Sequence, residues 1–275
     1  MKFTARLDTA WRTNNSLVCV GLDPEPKKFP DSVRSAPQPI FEFNKAIVDA
    51  THDLVCAYKP QFAHYAAHRA EGELERTIAY IKQKAPRALV ILDTKRGDIG
   101  STAEQYAIEA FDRYGADAVT INPYLGFDSV EPFLKRDDKG VVILCRTSNA
   151  GARDLQDLRV TTDGTNRTLY EVVADKVARD WNANGNCMLV VGATYPEELG
   201  AIRARVGDVP FLVPGVGAQG GDVAQAVQRG RTAAGAGLVI SSSRAILYAS
   251  SGPDFAAAAR RAATELRSAI NTHRA

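Results

Sequence analysis

Short runs of β-branched and aliphatic residues recur at 17–23, 54–59, 88–95, 118–122, 141–147, 187–192, 211–216 and 237–243. Between them, apolar residues return every three or four positions at 40–53, 73–84, 103–114, 169–182, 196–206 and 222–230, with a last such stretch at 254–272. The first set predicts strands, and their nearly continuous apolar character predicts burial on both faces. The second set predicts helices with one face toward a core. Strict alternation of strand and helix implies the α/β class with a parallel sheet, and eight repeats in this length close a (β/α)8 TIM barrel. An open doubly wound sheet is the alternative. An extra N-terminal helix at 3–14 is expected to cover the bottom of the barrel. No proline- or serine-rich linker divides the chain, so residues 1–275 read as a single domain.

Composition narrows the partners. The 275 residues are 45% hydrophobic, enough for a large core, and the net charge is only +2. Basic residues are spread along the chain without forming a stripe, which argues against nucleic acid and for a small-molecule partner. No window approaches the roughly 18 apolar residues of a membrane span. The N-terminal residues lack the apolar segment of a secretory signal, so a soluble, cytoplasmic protein is expected. Cys19, Cys56, Cys145 and Cys187 lie far apart in the strand runs and read as small core residues in a reducing compartment. No CxxC pair exists, and no glutamate follows His64 to make a zinc helix with His68, so no metal site is expected.

The polar residues gather at the predicted strand ends, where barrels of this type carry their chemistry. Asp23 ends the first strand, Lys59 the second, and Asp93 and Lys95 the third. Simple alternation along 88–95 places Leu89, Ile91, Asp93 and Lys95 on one face. Gly97 permits a sharp exit, and the sequence STAE at 101–104 has capping-box spacing for the next helix. Asp93 and Lys95 could form a structural ion pair with Asp98 a solvated acid; several charges ending a doubly buried strand favour use at its mouth. Strand five ends in Arg146, Thr147, Ser148 and Asn149, and the irregular stretch 148–166 after it is long enough to cover a site.

The seventh strand runs into a glycine-rich loop, with Gly215, Gly217 and Gly220 in GxGxxG spacing. A dinucleotide fold would place an acid near the end of the next strand, but here that strand ends in serines and Arg244. Backbone donors and one guanidinium suit a monophosphate, so a phosphorylated small molecule is expected. The alternative is that the glycines only make turns and Arg244 is a surface charge.

The DxKxxD pattern at Asp93, Lys95 and Asp98, together with these strand ends, resembles the orotidine 5′-phosphate decarboxylase family over nearly the whole chain. The longer bacterial branch carries segments similar to VGLDP (20–24), AYKPQ (57–61), LDTKRGDIGST (92–102), TSNAGARDLQ (147–156), VPGVGAQGG (213–221) and SSSRAI (241–246). The resemblance implies a homodimeric barrel with shared active sites and no cofactor, acting on orotidine 5′-monophosphate. It implies that Lys95 protonates the C6 carbanion left by carbon dioxide, that Asp93 lies beside the substrate carboxylate, and that Lys59 lies beside Asp93. Asp98 would cross into the partner's site, followed by Ile99 and Thr102. Asp23 would hold a ribose hydroxyl and Ser148 a pyrimidine edge. Gln219, Arg244 and groups near Pro214, Gly215 and Ser243 would hold the phosphate. More compact members carry a glycine where Ser243 stands, which leaves the phosphate contact there open.

Two other activities fit a barrel with a phosphate site. A sugar-phosphate decarboxylase or aldolase of a related barrel would stabilise an enediolate with a divalent metal. A silent nucleotide-binding barrel would keep the phosphate site alone, but Lys95 and Asp93 are both retained. No GxSxG elbow supports nucleophilic hydrolysis.

Overall fold

The computed structural model describes residues 1–162, 164–216 and 221–274. Its strands are β1 (Val18–Leu22), β2 (Ala57–Pro60), β3 (Leu89–Arg96), β4 (Ala118–Ile121), β5 (Gly140–Arg146), β6 (Arg159–Thr162), β7 (Thr165–Thr168), β8 (Cys187–Val191), β9 (Phe211–Val213) and β10 (Leu238–Ser242). All but β6 and β7 form a closed barrel in the order β1-β10-β9-β8-β5-β4-β3-β2. Every barrel pairing is parallel, and β1 meets both β2 and β10. Closure removes the sheet edges and rules out the open doubly wound alternative. It also brings all eight strand C-termini to one face.

The strand cores are apolar on both faces because one face fills the barrel and the other packs against the helix ring; β1, β2, β4, β8, β9 and β10 are buried throughout. At the opposite end, helix Phe3–Thr13 buries Phe3, Leu7, Ala10 and Trp11. A Cβ on Gly140, where β5 begins, would lie 2.3 Å from the Phe3 ring, so glycine there admits the aromatic plug. Arg6 adds an ion pair to buried Asp117 beside the start of β4. The expected bottom cover is therefore present. The four cysteines are buried free thiols. Burial pushes Cys19, Cys145 and Cys187 up to about 12 and Cys56 well up, so they stay protonated and inert.

Two local expectations need correction. The stretch 148–166 is not irregular: it holds a 3-10 turn (Ala150–Ala152), a short helix (Arg153–Gln156) and the antiparallel β6–β7 hairpin. The hairpin strands are mostly polar, so they lack an apolar run, but threonines and a valine flank an Asp-Gly sequence and Gly164 has φ +73°. The STAE capping box is also unused. The helix begins at Gly100 with Ile99 as its N-cap, so Ser101 already lies within the first turn. A capping box does form at Thr168 and Glu171, opening helix Leu169–Lys176.

Candidate active site

The barrel mouth holds two adjoining cavities of about 440 and 200 Å³ that share Lys59, Asp93 and Pro214. The larger runs from Lys95 to Ser148 along an apolar wall of Leu144, Val190 and Leu212. The smaller runs from Asp23 to Gly215, Ser243 and Arg244. Separate strand ends thus converge on one cleft.

The third strand departs from the simple alternation expected over 88–95. Leu92 pairs with Val119 and Arg96 with Ile121, so Asp93, Thr94 and Lys95 together oppose the single residue Thr120. Lys95 takes a left-handed backbone with φ +50°, a conformation that costs a non-glycine residue about 1–2 kcal/mol. The bulge turns the lysine back, and its Nζ meets Asp93 Oδ1 at 2.7 Å. Asp93 and Lys95 do come together, but through strain rather than through alternation. The chain is recaptured at once: Arg96 binds both Glu109 oxygens at 3.0 Å, and its guanidinium lies 4.7 Å from the rings of Phe62 and Tyr106.

Asp93 is the hub. Its other oxygen accepts Lys59 Nζ at 2.8 Å, and Lys59 Nζ stands 3.8 Å from Asp23. Burial favours the neutral acid, but the Lys59 and Lys95 ammoniums outweigh it and hold the carboxyl below the usual carboxylate range. Burial opposes charge on Lys59 too, yet Asp93 and Asp23 raise it above the usual lysine range. Side-chain exposure divides the roles: 7% for Lys59, 8% for Asp93 and 46% for Lys95. Lys95 is the cation whose charge is offered to the cleft. Asp23 Oδ1 is buried without a hydrogen-bond donor among the described residues, although Lys59 stands near, so it retains acceptor capacity on the smaller cavity.

At the other end, Gly215 has φ +92°, and Ser243 turns its side chain onto Gly21. Ser243 Oγ sits 1.9 Å from where a Cβ on residue 21 would be, so glycine at 21 makes room for serine at 243. The Arg244 side chain is exposed, and its guanidinium forms no hydrogen bond or ion pair with the described residues. Gln219 lies outside the described residues. Asp98, Ile99 and Thr102 are not brought into this cleft: Ile99 and Thr102 are exposed, and the Asp98 carboxylate accepts the Ile99 N–H at 2.8 Å. No cluster of three potential metal ligands occurs among the described residues.

Residues 16–262 match the family described as Orotidine 5'-phosphate decarboxylase / HUMPS. This chain belongs to that family. A Cellvibrio japonicus protein named orotidine 5'-phosphate decarboxylase is 61% identical, with 100% of both chains covered. The solved OMP decarboxylase of Leishmania donovani is 38% identical with a TM-score of 0.83, over 100% of this chain and 99% of that one. The UMP synthase of the same organism is 40% identical with a TM-score of 0.87, over 100% of this chain and 57% of that one.

Within this orotidine 5'-phosphate decarboxylase / HUMPS barrel, the sequence did not mark one site residue, Thr120, or the partners of Arg146. Thr120 lines the larger cavity and bonds Asp93, yet it reads in sequence as one more β-branched strand residue. Arg146 was visible at a strand end, but its partners were not. It is fully buried, paired with Glu198 and Asp157, and its guanidinium lies 4.8 Å from the Tyr195 ring and 5.2 Å from that of Tyr170. Gln156 then closes the segment back on Thr147, accepting its N–H at 2.9 Å and donating to its hydroxyl at 2.8 Å. The segment after β5 is thereby tied over the larger cavity, which Gln156 and Ser148 both line. Ser148 fits because residue 192 is glycine; a Cβ there would meet Ser148 Cβ at 2.9 Å.

Proposed function

We propose that this chain converts orotidine 5′-monophosphate to uridine 5′-monophosphate and carbon dioxide, a step of pyrimidine (UMP) biosynthesis. The observation that carries the reading is the Lys59–Asp93–Lys95 array, with its one exposed ammonium, set between an apolar wall and a pocket ending in Arg244, whose guanidinium has no partner among the described residues.

Breaking the C6–carboxylate bond leaves an electron pair in an sp² orbital that the pyrimidine cannot delocalise well. Lys95 would stabilise that charge as a fixed cation and then give C6 its proton, so neither a metal nor an electron-sink cofactor is required by the chemistry. Asp93, held ionised by the two lysines, would repel the substrate carboxylate by roughly 4 kcal/mol for unit charges about 4 Å apart at an effective dielectric near 20. Departure of neutral carbon dioxide toward Leu144, Val190 and Leu212 would relieve that repulsion. Remote contacts could offset its cost: Asp23 to a ribose hydroxyl, Ser148 to the pyrimidine edge, and Pro214, Gly215, Gln219, Ser243 and Arg244 around the phosphate.

The same reading takes the protein as a cytoplasmic homodimer whose whole chain, 1–275, is one domain. Asp98, Ile99 and Thr102 would complete the partner's site. Ile99, Tyr124, Leu125 and Phe127 are exposed in the segments that follow β3 and β4, and a second copy would cover them.

The test is turnover of orotidine 5′-monophosphate with chelator present and Lys95→Ala as control. Activity that survives chelation and is lost in the variant supports the reading. No turnover by the intact chain refutes it, and turnover of a sugar phosphate that the chelator abolishes would favour the metal-dependent alternative.

A further inference from the structure

Lys95 reaches Asp93 only because β3 bulges and the lysine backbone is left-handed, so some group must hold that strained arrangement. One buried hydroxyl touches every part of it. Thr120 Oγ1 accepts the N–H of Thr94 and the N–H of Lys95, both at 3.0 Å, and donates its own proton to Asp93 Oδ1 at 2.8 Å. One donor and two acceptor sites are thereby all used. Asp93 Oδ1 is also the oxygen that receives Lys95 Nζ.

We propose that Thr120 is a positioning residue for decarboxylation: its hydroxyl clamps the β3 bulge and orients the Asp93 carboxylate, and so aims the Lys95 ammonium into the cleft. This rests on the functional reading above and adds a residue to it. The peptide N–H groups at 94 and 95 meet no ordinary strand partner, because three residues face one across the β3–β4 ladder. Without the hydroxyl those two N–H groups lose their acceptor, Asp93 Oδ1 keeps only Lys95 of its two donors, and the lysine backbone loses its restraint. The ground-state contacts proposed for Asp23 and Arg244, which lie past the ends of β1 and β10, are untouched. The effect therefore belongs in kcat rather than in KM.

The experiment compares Thr120→Val, which keeps shape and loses the hydroxyl, with Thr120→Ser, which does the reverse. Loss of a hydrogen bond to a charged group predicts a fall in kcat of about 10- to 100-fold for Thr120→Val with KM within about threefold, and Thr120→Ser within about threefold of wild type. A packing role predicts the opposite order, with valine tolerated and serine impaired. That order, or full kcat in Thr120→Val, overturns the proposal. If Thr120→Val does not fold, Thr120→Cys, a weak donor of similar size, is judged by the same criteria; failure of both to fold marks Thr120 as structural and also overturns it. Wild-type turnover in parallel separates the two levels. An inactive wild type removes the decarboxylase reading and this inference with it, whereas an active wild type with an active valine variant removes the inference alone.

Discussion

Replacing Arg146 with methionine tests whether the segment after β5 is held by one buried guanidinium. The side chain is 1% exposed and forms ion pairs with Glu198, which is 28% exposed, and Asp157, which is 38% exposed. Breaking a fully buried pair costs about 3–5 kcal/mol. Here the two carboxylates left behind are partly wet and can rehydrate, which lowers that figure. Methionine keeps the apolar stem between Tyr170 and Tyr195 but forfeits the cation–π contacts, worth about 0.5–2 kcal/mol. Together these give an expected loss of about 2–4 kcal/mol, read as a lower urea midpoint at unchanged m. The same variant frees Gln156 and Thr147 to move, so KM should rise by more than kcat falls. A double-mutant cycle with Glu198→Gln should show a coupling of about 1–2 kcal/mol. A stability loss under about 0.5 kcal/mol, or zero coupling, would show that Arg146 merely fills space and would refute the anchoring argument.

Other outcomes follow from the same geometry. Mixing inactive Lys95→Ala and Asp98→Ala subunits should restore up to about a quarter of wild-type activity if sites are shared across a random dimer, and no recovery would place Asp98 outside the partner's site. Asp93 has its carboxyl held down, so its contribution to stability is present above the unfolded value near 3.9 and is lost as pH falls through the lower folded value. Lys59 is shifted up, so its share is present below about 10.4 and is lost as pH rises through the higher folded value. Urea midpoints measured from pH 7 downward should therefore fall less steeply below about pH 4 in Asp93→Asn than in wild type, and identical acid limbs would contradict the assignment. Gly21→Ala would drive a methyl group into Ser243 and should raise KM, while adding Ser243→Gly should lower it again; a double variant no better than the single one would uncouple the two positions.

The sequence by itself determined the layers of this protein. Periods of hydrophobicity are local, and a doubly buried strand or a one-faced helix needs no knowledge of its neighbour to be read. Barrel strands, the helix at the bottom and the charged strand ends were all legible, as were Asp23, Lys59, Asp93, Lys95 and Arg244 as cleft residues. What tertiary structure alone decided are relations between distant positions. The β6–β7 hairpin escaped because polar strands leave no apolar period. The helix start at Gly100 was set by the exit from β3, not by the capping-box spacing at 101–104. The meeting of Asp93 and Lys95 depends on a bulge that Thr120, from the next strand, holds with one hydroxyl, and no alternation within 88–95 encodes that. Arg146 likewise finds Glu198 only once β5 and β8 lie side by side. Side-chain type and spacing mark where charge will gather; barrel closure sets which charges touch, because register and bulge geometry belong to strand pairs rather than to single strands.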